Sequence, residues 1–136
     1  MFESPRHLFV YGTLRSGARH PMHQAIAAAC RFVGEGRMAG KLYNCGEYPC
    51  AVALPLGTDW VQGDLYAISG DQAELFRTLD SYEGCGPEDP SPQEFRRCPC
   101  LVATPADSQV SAWVYLYNWD ITDLSPILSG DYLSHR

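Results

Sequence analysis

Residues 85–93, CGPEDPSPQ, can form neither helix nor strand, because three prolines and one glycine in so short a stretch remove backbone donors and break both kinds of ladder. This loop divides the chain into two unequal parts. Before it stands the clearest helical pattern, SGDQAELFRTLDSYEG: Asp71 with Glu74 three residues later resembles a capping box, Leu75, Phe76 and Leu79 form an apolar stripe, and Gly84 is placed to end the helix. After it come two long strands, EFRRCPCLVAT and VSAWVYLYNW, linked by the turn PADSQ. Pro99 marks the first of them as an edge strand or a bulged one.

The part before the loop reads as further short elements. HLFVYGT is a buried strand stopped at Gly12, and PMHQAIAAACRF is a helix with Pro21 in its first turn that turns Ile26, Cys30 and Val33 toward the core. GRMAGKLYNCG reads as an irregular strand that bends or bulges. CAVALP and WVQGDLYAI follow, spaced as an antiparallel hairpin; in the second, Trp60, Gln62, Asp64 and Tyr66 share a face that is wet or lines a cavity. The tail, ITDLSPILSGDYLSHR, is expected to pack on the body through Ile127, Leu128 and Tyr132. The order β-α-β-β-β-α-β-β predicts a mixed, curved α+β sheet that closes in part into a barrel, since doubly wound sheets alternate strand and helix more regularly. A length of 136 residues suits a single domain spanning 1–136.

Charge and cysteine content narrow the function classes. Ten basic against sixteen acidic residues give a net charge of -6, the wrong sign for gathering phosphates, so nucleic acid and anionic membrane are not expected partners. The start, MFESPRHLFVYG, has no apolar run long enough for a signal peptide or a membrane span, which points to the cytoplasm. The six cysteines are therefore read as reduced thiols, most of them small buried hydrophobes. Their spacings include no paired CxxC, so no metal site is expected.

Two stretches could carry chemistry. Gly12-x4-Gly17 has the glycine spacing of a phosphate loop, but Ala18 and Arg19 stand where Lys and Ser/Thr are needed. What survives is a strand running into a Gly-Thr turn, whose unused backbone N–H groups can hold a carboxylate or an oxyanion, although an ordinary strand end looks the same. Glu83 lies four residues beyond Leu79 at the helix C-terminus. If it projects near the apolar stripe, the helix dipole and partial burial both raise its pKa toward the range useful for proton transfer; the plainer alternative is a solvated glutamate ending a helix. Asp80 reads as a structural carboxylate accepting from backbone N–H groups of the adjoining loop. No G-x-S-x-G elbow or evident Cys–His pair supports a nucleophile.

Taken together, FVYGTLRSG, GEYPCAV, VQGDLYAI, LDSYEGCG, FRR, AWVYLY and LSGDY, in that order through most of the chain, resemble the gamma-glutamylcyclotransferase-like family. The resemblance implies a compact α+β barrel-like fold with two main helices and a central cavity, and no metal or organic cofactor. It also implies an intramolecular aminolysis in which the α-amine of a γ-glutamyl group attacks its own γ-carbonyl, giving 5-oxoproline and a free amine. By the same analogy Glu83 is the general acid/base, and Tyr11, Gly12, Thr13 and Leu14 match the YGTL turn whose backbone holds the glutamyl moiety. The family's Y-x-R pattern is met here by Phe95 and Arg97, so a hydroxyl that could bond across the cavity is absent. EGCGP looks more like the branches acting on γ-glutamyl amines than those acting on glutathione. The partner implied is a small γ-glutamyl molecule; a non-catalytic binding module on the same fold is the alternative.

Overall fold

A computed structural model describes residues 5–12 and 22–135. The elements are β1 (His7–Val10), α1 (His23–Ala29), β2 (Cys30–Asn44), β3 (Pro49–Ala53), β4 (Trp60–Ile68), α2 (Gln72–Glu83), β5 (Phe95–Ala103), β6 (Gln109–Tyr117), the short β7 (Ser125–Pro126) and α3 (Tyr132–His135). Strands β2-β4-β1-β6-β5 follow one another around a ring that a β2–β5 contact closes, with β3 added on the outer run of β2. The fold is thus a closed five-stranded α+β barrel with two main helices. Strand β1 is antiparallel to β4 and parallel to β6, which makes the sheet mixed.

The run of apolar residues in β1 is explained by burial on both faces. Phe9 and Tyr11 point into the barrel with Met38, Val61, Leu65, Val102 and Val114, whereas Leu8 and Val10 face outward under the helices with Ile26, Leu75, Phe76 and Leu79. Each such buried side chain contributes roughly 1.5–3 kcal/mol through water released from apolar surface. Helix α2 forms as its pattern predicts: the Asp71 carboxylate accepts from the Glu74 N–H at 3.3 Å, and Gly84 closes the helix in the left-handed region at φ 77°. Among the described residues no helix is long and apolar enough to cross a membrane.

Several expectations are corrected. The first helix ends at Ala29, because its carbonyl is taken by the N–H groups of Ser69 and Gly70 (2.9 and 3.0 Å) and Cys30–Phe32 pair with β4 instead. The register shifts between Phe32 and Gly34, which leaves Val33 exposed at the bulge rather than facing the core. Strands β3 and β4 are not a hairpin. The long β2 lies between them, pairing with β4 up to Ala39↔Trp60 and with β3 from Gly40↔Ala53 onward. Gly40 permits this change of partner, because a Cβ there would run into the Val52 carbonyl. The β4 face of Trp60, Gln62, Asp64 and Tyr66 is open only toward its Trp60 end: Asp64 and Tyr66 are buried, and His23 of α1 covers the Tyr66 ring at 5.9 Å. In the tail Ile127 is buried and Tyr132 half-buried against the barrel cluster, but Leu128 is 88% exposed, because β7 pairs with β2 and the Ile127 N–H bonds Leu42 O, turning the next side chain outward.

Strand β5 lies along β6 through its whole length, with Pro99 opposite Trp113. Its other side meets β2 only at Ala103↔Arg37, so Pro99 occupies an edge without costing the ladder a bond on that side. The 85–93 loop is held by its own side chains: the Asp89 carboxylate accepts from Gly86 N–H at 2.9 Å, and Gln93 Nε2 donates to Gly86 O at 2.9 Å.

Candidate active site

Helix α2 and the loop after it deliver carboxylates to one end of the barrel. The Gly84 cap stops the helix just after Glu83, and Cys85 N–H bonds back to Asp80 O at 2.9 Å, so the last turn is fixed at both chain ends. Glu83 falls one helical turn beyond Leu79, which is fully buried, and therefore projects inward beside the apolar stripe. There it lines a cavity of about 250 Å³. The other walls come from the end of β1 (Phe9 to Tyr11, then Gly12), from Tyr48 and Pro49 before and at the start of β3, from Glu94 and Phe95 at the start of β5, and from Tyr82 and Tyr115.

Burial holds the Glu83 carboxyl away from water and, with the nearby charges of Glu94 and then Asp80, pushes its pKa from 4.5 up to about 7. The sequence reading named burial and the helix dipole; the neighbouring carboxylates are an additional cause. A group poised there exchanges a proton in either direction near neutral pH.

Asp80 is structural, but not in the way expected from the sequence. Its carboxylate accepts from side chains: Arg97 Nε at 2.9 Å on Oδ1, Arg97 Nη2 at 3.2 Å on Oδ2, and the Tyr115 hydroxyl at 2.6 Å on Oδ1. The backbone bond in that region goes to the Asp80 carbonyl instead. Arg97 is also stacked between aromatic faces, 4.1 Å from the Phe76 centroid and 4.6 Å from that of Trp113. This two-pronged pair locks α2 to β5 one turn before Glu83, and so sets the direction in which Glu83 enters the cavity.

Tyr11 and Gly12 both line the cavity, and each has a definite local role. The Tyr11 hydroxyl donates to the Tyr115 carbonyl at 2.6 Å and accepts from Ala51 N–H at 3.2 Å, tying β1, β3 and β6 together. Burial first, then the Glu83 charge, keep that phenol protonated well above its ordinary range. At Gly12 a Cβ would lie 2.7 Å from Pro49 Cγ, so the turn passes too close to the β3 wall for any side chain. Thr13, Leu14, Gly17 and Pro21, which complete the turn and the predicted helix start, lie outside the described residues.

Sequence reasoning missed Tyr48, Glu94 and Tyr115. The Tyr48 hydroxyl donates to Glu94 Oε2, a contact across 46 positions for which no local pattern gives a signal. For Tyr115 a signal existed: it alternates with Val114 and Leu116 on a strand whose two faces both carry large apolar side chains. Phe95, at the family's tyrosine position, is buried edge-to-face against Tyr48 (5.9 Å) and Tyr117 (5.6 Å). The cysteines are not mostly buried as expected: Cys50 is buried, the other five are half-buried, and Cys45 lies against Cys50, sulfur to sulfur at 2.6 Å. Among the described residues no three histidine, cysteine or acidic side chains converge as metal ligands would.

This arrangement coincides with a known family. Residues 8–134 match the family described as gamma-glutamyl cyclotransferase, AIG2-like. A relative from Niallia circulans, the gamma-L-glutamyl-butirosin B gamma-glutamyl cyclotransferase, is 32% identical over 83% of this chain and 67% of its own length. The gamma-glutamylcyclotransferase family protein YtfP of Escherichia coli is 35% identical over 93% of this chain and 95% of its own. Its solution structure superposes with a TM-score of 0.63, at 31% identity over 95% of this chain and 97% of that one. The crystal structure of YkqA from Bacillus subtilis gives a TM-score of 0.69 at 26% identity, covering 97% of this chain, which spans 41% of YkqA. The family match runs through β1, the Glu83 helix end and the tail alike, and the chain belongs to the AIG2-like gamma-glutamyl cyclotransferase family.

Proposed function

We propose that the protein releases 5-oxoproline and a free amine from a γ-glutamyl amine or γ-glutamyl peptide, with Glu83 as the general acid/base. The observation that carries this reading is the Glu83 carboxyl itself, half-buried at a cavity wall with no cationic side chain among the described lining residues and brought to a pKa of about 7. The α-amine nitrogen attacks the γ-carbonyl carbon while Glu83 takes the amine proton. As the C–N bond to the leaving group breaks, the carbonyl re-forms and Glu83 returns that proton to the departing nitrogen. Because nucleophile and carbonyl belong to one molecule, ring closure needs no enzyme nucleophile; well-oriented intramolecular reactions reach effective molarities on the order of 10⁵–10⁸ M.

In this reading the backbone of Tyr11, Gly12, Thr13 and Leu14 binds the glutamyl moiety, and the N–H groups of Gly12 to Leu14 serve as donors to the oxyanion as charge develops. Gly12 supports this role, since its missing side chain leaves the backbone bare beside Pro49. The Niallia circulans relative is named for removing a γ-glutamyl group from butirosin B, which favours γ-glutamyl amines as the substrate class here. The test is 5-oxoproline release from a panel of γ-glutamyl amines, γ-glutamyl amino acids and glutathione, followed by mass spectrometry. Wild type is expected to release it, and Glu83→Gln, which keeps the shape but cannot shuttle a proton, to lose about 10²–10⁴-fold in kcat while melting as a folded protein. Turnover retained in that variant removes Glu83 from the mechanism.

A further inference from the structure

The cavity contains a second carboxylate that takes no direct part in the ring-closure steps. Glu94 stands immediately before β5, its backbone carbonyl accepting from Asn118 N–H at 2.6 Å and its Oε2 accepting from the Tyr48 hydroxyl. The first bond holds the main chain and the second the side chain, and Tyr48 occupies one of about four acceptor positions on the carboxylate. The surrounding wall is aromatic: Tyr48, Phe95, Tyr82 and Tyr115 line the same cavity. Among the described lining residues none is cationic. Arg97, three positions along β5, is engaged by Asp80 and stacked on Phe76 and Trp113.

A fixed carboxylate beside ring faces, with no cationic side chain among the described lining residues, attracts an ammonium and repels a second carboxylate. The glutamyl half of the substrate is assigned to the backbone at Tyr11 and Gly12, which leaves Glu94 to meet the other half. We propose that Glu94 selects the leaving amine, favouring γ-glutamyl amides whose leaving group carries a second ammonium over those whose leaving group carries a carboxylate. This assignment rests on the ring-closure reading above, and it adds to that reading a substrate class and the residue that enforces it. The same charge also acts on Glu83, raising its pKa, so an incoming ammonium would ease the burden of two carboxylates sharing one cavity.

The experiment compares three γ-glutamyl amides: of a linear diamine, of an alkylamine of the same chain length and of an ω-amino acid of the same chain length. In wild type, kcat/KM is expected to fall in that order, by about fivefold or more from the diamine to the alkylamine, the effect of one partly exposed ion pair. The preference for the diamine is expected to shrink as salt is added. In Glu94→Gln the diamine-to-alkylamine ratio is expected to fall toward one. The ratio is the readout because any effect of the substitution on Glu83 is common to both substrates and cancels.

Equal kcat/KM for the three amides, a salt-independent ranking, or a ratio unchanged in Glu94→Gln overturns the role of Glu94, while 5-oxoproline release upholds ring closure. If none of the amides is turned over, ring closure fails, and calorimetry with the free diamine and alkylamine decides about Glu94 separately. Tighter diamine binding that disappears in Glu94→Gln supports it; equal binding overturns it. Should the variant not fold, the wild-type ranking and its salt dependence still give the answer.

Discussion

Glu83 combines a chemical use with a cost to the fold. Its carboxyl is protonated up to about pH 7 in the folded chain but ionises near 4.5 when the chain unfolds. Between those values the native state binds more protons than the unfolded state, so the group's favourable contribution is fully present below about 4.5 and is lost as pH rises through about 7. Above that window the penalty approaches about 3 kcal/mol, since each pH unit separating the two values is worth about 1.4 kcal/mol. Glu83→Gln carries no charge at any pH and escapes the loss. Urea unfolding across this window is expected to show the variant gaining on wild type as pH rises, by on the order of 3 kcal/mol at slightly alkaline pH. A stability difference that stays constant through the window would mean that the carboxyl is not shifted. The same substitution is expected to cut kcat by about 10²–10⁴-fold, so the site trades stability for a proton acceptor poised near neutrality.

At the scale of elements, what carries Glu83 to its place is the way α2 ends. Gly84 adopts φ 77°, and a Cβ there would meet nothing within 4 Å, so the constraint is backbone conformation alone. Gly84→Ala is therefore expected to cost about 1 kcal/mol in chemical unfolding, with Gly84→Asn recovering part of it, because asparagine tolerates the left-handed region. An alanine variant as stable as wild type would show that the cap adopts another conformation. This helix end was legible in the sequence because its signals are local: Asp71, Glu74, the apolar stripe and Gly84 all lie within one short segment. The strand order around β2 was not. CAVALP and WVQGDLYAI adjoin in sequence and each has strand character, but only the bend of β2 at Gly40 decides that both pair with β2 instead of with each other. For the same reason Glu83 could be found while its setting could not: Arg97 reaches Asp80 across 17 positions and Tyr48 reaches Glu94 across 46, distances over which spacing carries no information.

For the molecule as a whole, the barrel's closure is uneven, and that determines where it should open. Strand β2 pairs with β4 at positions from Cys30↔Ile68 to Ala39↔Trp60, and β5 pairs with β6 from Phe95↔Tyr117 to Ala103↔Gln109. Between β2 and β5 the ring is joined at Arg37↔Ala103 alone. Cooperative units tend to separate where the fewest bonds must break, so sub-global opening should part β2 from β5 while leaving the β2–β4 and β5–β6 ladders intact. The seam lies at the Ala103 end of β5, and the cavity lies at its Glu94–Phe95 end, where Asn118 and Tyr48 both hold Glu94. Opening at the seam therefore need not disturb the carboxylates. Native-state hydrogen exchange is expected to show amides bonded across the seam exchanging at a free energy roughly 2 kcal/mol or more below those of Leu65 and Val114 in the ladders, with Phe95 and Tyr115 following the ladders. Uniform exchange at the global unfolding free energy would mean that the β2–β5 contact is as strong as its neighbours, and that the core packing of Met38 and Val102, not the ladder, closes the ring.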